Sequence, residues 1–268
     1  MVAACRAVET ELDDAFARDP FAARLAGDRG FAILNALPNA HMMRFGLAIR
    51  TCVLDDLLHE ALAAHPIATV LSVGCGLDTR PWRLDLPPAL RWVEADFTDM
   101  LGYKHNLMAD EKPRCHVERL AVDLNDEAQR QRLYAAAGSG PALMITEGLL
   151  LYLPAATVEA VAAECGPRAG VTHWISDIST TAFNQAITGS SRVQSISHVQ
   201  AADALPGEEM LKVFHRNGWR TGSWRSYLND LGFARDRIRR VMGDEPPPAA
   251  AKLPPDDPTG VHCFTRES

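Results

Sequence analysis

The sequence has no surplus of positive charge, no long apolar run and no cysteine pairing pattern, and each lack removes a class of function. Its 268 residues carry 27 Lys and Arg against 34 Asp and Glu, a formal charge of −7. That balance repels a polyanion, so no nucleic-acid partner is expected for the chain as a whole. No apolar stretch reaches the ~18 residues of a membrane helix. The nearest, residues 142–153, is short and contains Glu147, so no membrane partner is expected. The opening MVAACRAVETELDD lacks the apolar core of a signal peptide. The six cysteines (Cys5, Cys52, Cys75, Cys115, Cys165, Cys263) are scattered and none sits in a C-x-x-C pair. Neither a metal site nor a disulfide framework is indicated, and free thiols in a reducing cytoplasm are the expectation. No repeat of solenoid period is present.

What is there is globular. Hydrophobic residues make up 47% and charged residues 23%, which excludes fibrous classes and wholesale disorder. The length fits one large α/β domain, or one domain with a lid. The N-terminal third reads as helical. Residues 9–18 and 20–26 form short stretches broken by Pro20 and Gly27, and residues 41–64 give a long uninterrupted pattern that Pro66 ends. From there short apolar runs recur at 67–73, 90–97, 116–122, 142–146 and 171–175, four of the five separated by segments long enough for a helix. The exception, 79–89, has room for only a short helical piece between its prolines. Strands alternating with helices predict βαβ units and a parallel sheet. Residues 180–198, rich in Ser, Thr, Gln and Asn, break the rhythm as an inserted lid or a solvated helix pair. A helix over 205–218, a six-proline loop over 245–258 and a last strand over 261–265 complete the chain.

VLSVGCGLDTR sets a G-x-G directly after a strand. Glycine there lets the chain turn sharply and the backbone approach a ligand. The third glycine of the dinucleotide fingerprint is replaced by Thr79. That tilts the loop away from a pyrophosphate and towards a nucleoside cofactor without phosphates, such as S-adenosylmethionine. From the loop alone, a plain glycine turn reads the same. Asp96 lies 22 residues past Gly74 at a strand end, where a carboxylate accepts hydrogen bonds from ribose hydroxyls. Glu94 is its rival, one step further from the end. Asp123, Glu147 and Asp177 stand at or near later strand ends. A sulfonium cofactor suits a crevice ringed by acids better than a pyrophosphate does. Each acid taken singly is equally a solvated strand tip.

Arg50 is centred on the apolar stripe formed by Met43, Leu47, Leu54, Leu57 and Ala61. A buried guanidinium must be paired. Two readings stay open: a structural ion pair, or a fork that grips a ligand carboxylate.

Four segments, AIRTCVLDDLL, VLSVGCGLDTRPWRL, WVEADF and ITEGLLLYLP, resemble the leucine carboxyl methyltransferase family, in particular its bacterial natural-product O-methyltransferases. The resemblance covers roughly residues 19–153 and fades beyond 170, apart from Gly218-Trp219. It implies a Rossmann-like class I methyltransferase fold, α/β, with a seven-stranded, mostly parallel sheet. It also implies a helical N-terminal cap over 1–66 and a core over 67–268 carrying an inserted lid around 180–215. S-adenosyl-L-methionine would be the cofactor. Carried over to this sequence, Gly74, Cys75, Gly76, Asp96, Phe97, Asp123, Leu124, Glu147 and Gly148 would bind it. Arg50 would hold its methionine carboxylate and stand near the acceptor, and Tyr152 would line the methyl-transfer site. Asp78 and Thr79 match the family's D-T pair. Asp96-Phe97-Thr98 departs from the family by lacking a proline after the acid.

The implied activity is O-methylation of a small-molecule acceptor, with protein C-terminal carboxyl methylation and a non-catalytic cofactor-binding accessory as alternatives. A carboxylate acceptor is ionised at neutral pH and needs no base, whereas a phenol with a pKa near ~10 does. His41, His173 and His198 are the candidate bases, each equally readable as an ordinary histidine. An RNA methyltransferase is a more distant option, resting on the eight Lys/Arg against two acids within 212–240.

Overall fold

A computed structural model describes residues 1–37, 40–188, 200–227, 232–234, 236–237, 239, 253–254 and 256–266. Three helices come first: α1 (Val2–Thr10), α2 (Ala22–Asn35) and α3 (Ala40–Ala64). Beyond them strands and helices alternate as β1 (Thr69–Val73), α4 (Arg80–Arg83), β2 (Arg91–Asp96), α5 (Thr98–Leu107), β3 (His116–Ala121), α6 (Glu127–Ala136) and β4 (Ala142–Thr146). A 3-10 turn (Leu150–Tyr152) leads into α7 (Ala155–Ala169), β5 (Val171–Ile178), α8 (Thr181–Thr188), α9 (Gly207–Arg216), β6 (Arg220–Ser226) and β7 (Gly260–Thr265).

The strands form one seven-stranded sheet in the order β3-β2-β1-β4-β5-β7-β6. The five strands from β3 to β5 run parallel, and β7 inserts antiparallel between β5 and β6. This is the Rossmann-like class I arrangement that the resemblance implies. The chain reverses its direction of winding between β1 and β4, so the carboxyl ends of those two strands flank a crevice.

Side-chain alternation explains the layers. Val70, Trp92, Leu143 and Ile175 point to one face and pack under α3 through Ile49, Val53, Leu54, Leu57 and Leu58. Leu71, Val93, Met144 and Trp174 point to the other and meet α6, α7 and α9. Both faces are covered, which is why β1 and β4 read as continuous apolar runs. Local signals set the helix ends. Asp126 accepts the Gln129 N–H at the start of α6 (3.2 Å), and Gly170 closes α7 in the left-handed region at φ 61°.

The structure departs from the sequence expectations in three places. Residues 9–18 are not a helix: α1 ends at Thr10. The Arg18 guanidinium takes the carbonyl of Thr10, the last residue of α1, and that of Leu12 beyond it, and the Glu9 carboxylate accepts the Phe16 N–H, so side chains supply bonds a continued helix would have made. Second, the helical stretch that Gly27 breaks, as expected, with its non-helical φ of 52° resumes beyond the glycine as far as Asn35, where its apolar face packs on α1. Third, β6 went unrecognised in the sequence. RTGSWRS has no apolar alternation because β6 is an edge strand with its first half exposed. Residues 189–199 of the expected lid, and most of the proline-rich loop, lie outside the described residues.

Candidate active site

The crevice begins at the turn after β1. Gly74 and Gly76 adopt φ 63° and 47°, where a side chain is strained. The two glycines serve different ends. A Cβ on Gly74 would stand 2.7 Å from Leu149 Cδ1, whereas one on Gly76 would meet nothing within 4 Å. Gly74 lets two turns pack together, and Gly76 faces open space at the mouth. Cys75 between them is buried, and burial pushes its thiol well above the ordinary range.

Asp96 Oδ2 accepts the Gly76 N–H at 2.7 Å, and Oδ1 accepts the Phe97 N–H at 2.7 Å. Two hydrogen bonds leave the carboxylate with spare lone pairs for hydroxyl donors. Glu94 points the same way two residues earlier but is spent inside the protein. Lys104 Nζ lies 2.5 Å from one oxygen and Arg119 Nε 3.1 Å from the other. Position along the strand separates them: the acid at the tip meets the crevice and the acid one pleat deeper is core. Phe97, 63% exposed beside Asp96, leaves an aromatic face in solvent at the mouth.

On the next strand, Asp123 Oδ1 accepts from the Asn125 backbone N–H (2.9 Å) and from its side chain (3.0 Å). Leu124 is buried in the core under α6 and α7, and its carbonyl accepts from Arg130 at 2.9 Å.

Past β4 the charges interlock. Glu147 Oε1 receives Arg50 at 2.9 Å, and Oε2 receives Arg80 NH1 at 2.8 Å. Arg50 NH1 also reaches Asp177 Oδ2 at 3.1 Å, while Asp177 Oδ1 accepts the Gly148 N–H at 2.6 Å. Arg80 Nε binds Asp55 at 2.6 Å and its NH1 lies 3.2 Å from Asp78; Arg83 binds Asp55 as well. Gly148 has φ 60°, and a Cβ there would lie 3.0 Å from Arg50 NH1. The glycine thus gives the guanidinium its space. Burial pushes the Glu147 carboxyl up, but the Arg80 and Arg50 guanidinia outweigh it and hold the group well below the usual carboxylate range. For Arg50, burial works against its charge and the Glu147 and Asp177 carboxylates overcome it. Tyr152 is half-buried at the end of the 3-10 turn, its carbonyl accepting the Ala201 N–H at 3.3 Å.

The expected site residues therefore fall along the carboxyl edges of β1, β2, β3 and β4, with Arg50 reaching them from α3. Arg80 is the main residue the sequence reading passed over. It is 1% exposed and bridges three carboxylates. Its signal was present in the D-T-R run, and that of Asp55 in an acid pair interrupting an apolar helix. The candidate bases do not converge. His173, near the start of β5, packs at a tilt against His65 with ring centroids 4.1 Å apart, at the opposite edge of the sheet. His41 lies on the first turn of α3, beside a cleft lined by Arg44, Phe45 and Arg237. His198 lies outside the described residues.

Chemically, one wing offers a glycine turn and a carboxylate for a hydroxylated nucleoside. The centre offers acids that favour a cation, with a guanidinium between them that can face an anionic group. That donor set fits a sulfonium nucleoside bearing an amino-acid tail.

The model of a family described as leucine carboxyl methyltransferase matches residues 1–165. A Frankia alni protein named "Putative S-adenosyl-L-methionine-dependent methyltransferase" is 35% identical over 178 residues, covering 62% of this chain and 62% of that protein. A Streptomyces avermitilis protein of like name is 35% identical over 188 residues, covering 64% of this chain and 66% of its own length. The matched part thus spans less than two thirds of either relative. Among solved structures, a DUF574 family protein from Streptomyces avermitilis superposes with a TM-score of 0.56 at 14% identity, over 100% of this chain and 97% of its own. That likeness concerns the fold.

Proposed function

The chain belongs to the leucine carboxyl methyltransferase family, and on that premise we propose that it is an S-adenosylmethionine-dependent O-methyltransferase acting on a carboxylate, or a hydroxyl, of a small natural-product acceptor. The observation that carries the reading is the division of labour along the crevice. The Gly76–Asp96 contact stands on one side of the β1–β4 switch point, and the Arg50–Glu147–Asp177 cluster on the other. In this reading Gly74 and Gly76 let the backbone approach the nucleoside, Asp96 accepts from the ribose, and Asp123 and Leu124 frame the adenine. Phe97 covers it from the solvent side. Glu147 and Gly148 border the amino-acid end, and Arg50 takes its carboxylate.

The cofactor supplies an electrophilic methyl group on a cationic sulfur. The protein's part is approach geometry and exclusion of water. Glu147, held ionised by Arg80 and Arg50, would border that cation, and Arg50 sits between Glu147 and Asp177, offsetting part of the acid charge there. Arg50 and Tyr152 orient the acceptor oxygen. No histidine among the described residues stands at the carboxyl edge next to Glu147, which favours an acceptor that arrives already ionised. This supports a carboxylate over a phenol.

The test has two parts. Calorimetry with S-adenosylhomocysteine should give clear heat and NAD none; the reverse pattern sinks the reading. Labelled methyl transfer from S-adenosylmethionine to a panel of carboxylic acids, phenols and peptides ending in a free carboxylate then identifies the acceptor class. Labelling of the peptides would instead point to protein carboxyl methylation, and cofactor binding without any transfer to an accessory role.

A further inference from the structure

Tyr227 lies one residue past the end of β6, at the far side of the sheet from Asp96. The strand register places it closely. Arg225, Val261 and Asp177 stand in one row across β6, β7 and β5, and Ser226, Gly260 and Ile178 in the next. The Tyr227 N–H continues the ladder to the Thr259 carbonyl at 3.3 Å. Residues two apart share a face, so Tyr227 projects on the face that carries Asp177 and that α3 covers. Its ring packs with the α3-side core and against Phe183, at a centroid distance of 6.1 Å.

Its hydroxyl is buried and has no hydrogen-bond partner among the described residues. The charged groups that act on it are Asp177, Arg50 and Glu147. Burial first, then the Asp177 carboxylate, push the phenol well above its ordinary range, so it stays protonated and serves as a donor. Neither neighbouring carboxylate accepts from it: Asp177 binds Arg50 and the Gly148 N–H, and Glu147 binds Arg50 and Arg80. A buried donor left in this state is costly. What it lacks is one more oxygen acceptor beside Arg50.

We infer that the Tyr227 hydroxyl is a cofactor-binding donor, completing with Arg50 a two-point seat for the α-carboxylate of the cofactor's amino-acid tail. The inference rests on the S-adenosylmethionine reading above. The nucleoside wing lies four to five strands away, and a sulfonium repels a donor, so the tail carboxylate is the group whose chemistry matches.

The experiment compares Tyr227→Phe with the wild type by calorimetry, using two probes. S-adenosylhomocysteine has the amino-acid tail; 5′-methylthioadenosine has the same thioether nucleoside without it. The expected result is a loss of about tenfold in S-adenosylhomocysteine affinity, the size of one lost hydrogen bond to a charged group. Affinity for 5′-methylthioadenosine stays unchanged, and the melting temperature of the unliganded protein does not fall. Unchanged binding of both probes overturns the inference and leaves the hydroxyl to an acceptor oxygen. Equal weakening of both, or a lower unliganded melting temperature, overturns it in favour of a packing role. A wild type that binds neither probe removes the S-adenosylmethionine reading itself, and is thereby told apart from the other outcomes.

Discussion

Arg50 and Arg80 grip opposite oxygens of one carboxylate. Glu147 Oε1 belongs to Arg50 and Oε2 to Arg80. The two guanidinia differ in what else they do. Arg80, 2% exposed at its side chain, ties Asp55 and Asp78 into the base of the cluster, whereas Arg50, 15% exposed, faces the crevice and Asp177. In the proposed reading one holds the site in shape and the other meets the cofactor.

That difference is measurable. Arg80→Met leaves a buried carboxylate short of its partner and should cost about 3 kcal/mol of stability in urea unfolding, within the usual range for breaking a buried ion pair. Arg50→Ala should cost less, about 1–2 kcal/mol, because solvent reaches the site, yet should abolish methyl transfer. Equal stability losses, or wild-type turnover in Arg50→Ala, would contradict the assignment.

Glu147 gives a pH prediction. Its folded pKa lies below the ordinary value of 4.5. The stabilisation it confers is therefore complete above that value and is lost as pH falls towards the folded one. Urea midpoints measured from pH 7 to pH 3 should fall more steeply for the wild type than for Glu147→Gln below about pH 4.5. Parallel curves would show that the guanidinia do not hold this carboxylate ionised.

The two loop glycines should respond differently to alanine. Gly76→Ala meets only backbone strain, about 1 kcal/mol, and should keep its fold while losing S-adenosylhomocysteine affinity. Gly74→Ala adds overlap with Leu149 and should melt lower, with partial recovery in the double variant carrying Leu149→Ala. If Gly76→Ala binds the ligand as the wild type does, Gly76 is not at the cofactor.

Asp96 and Glu94 should separate binding from stability. Asp96→Asn should weaken S-adenosylhomocysteine at least about tenfold with little change in melting temperature. Glu94→Gln strands the buried Lys104 and should destabilise by about 3 kcal/mol, with binding intact in the folded fraction. An affinity loss confined to Glu94→Gln would reverse the two roles.

Much of this architecture was readable from residue order. The runs at 116–122 and 142–146, the long helix ending before Pro66 and the glycine turn all lie within a residue or two of where they were expected. β6 was not legible, because an edge strand carries no buried alternation. The helix expected over 9–18 failed because Arg18 and Glu9 bind the backbone there through side-chain contacts that no propensity encodes.

The sequence by itself determined the strand–helix alternation, the turn that only glycine can make and the set of acids at strand ends. These follow from side-chain period and local sterics, which act over a few residues. Tertiary structure alone decided which acid meets which cation. Arg50 reaches Glu147 across 97 residues of chain and Asp177 across 127. It also decided that Arg80 joins them and that Tyr227 projects from the sheet face that carries Asp177. Such pairings depend on strand order and on the inserted β7, and strand order is set by how whole layers pack, for which no short stretch of sequence carries a signal.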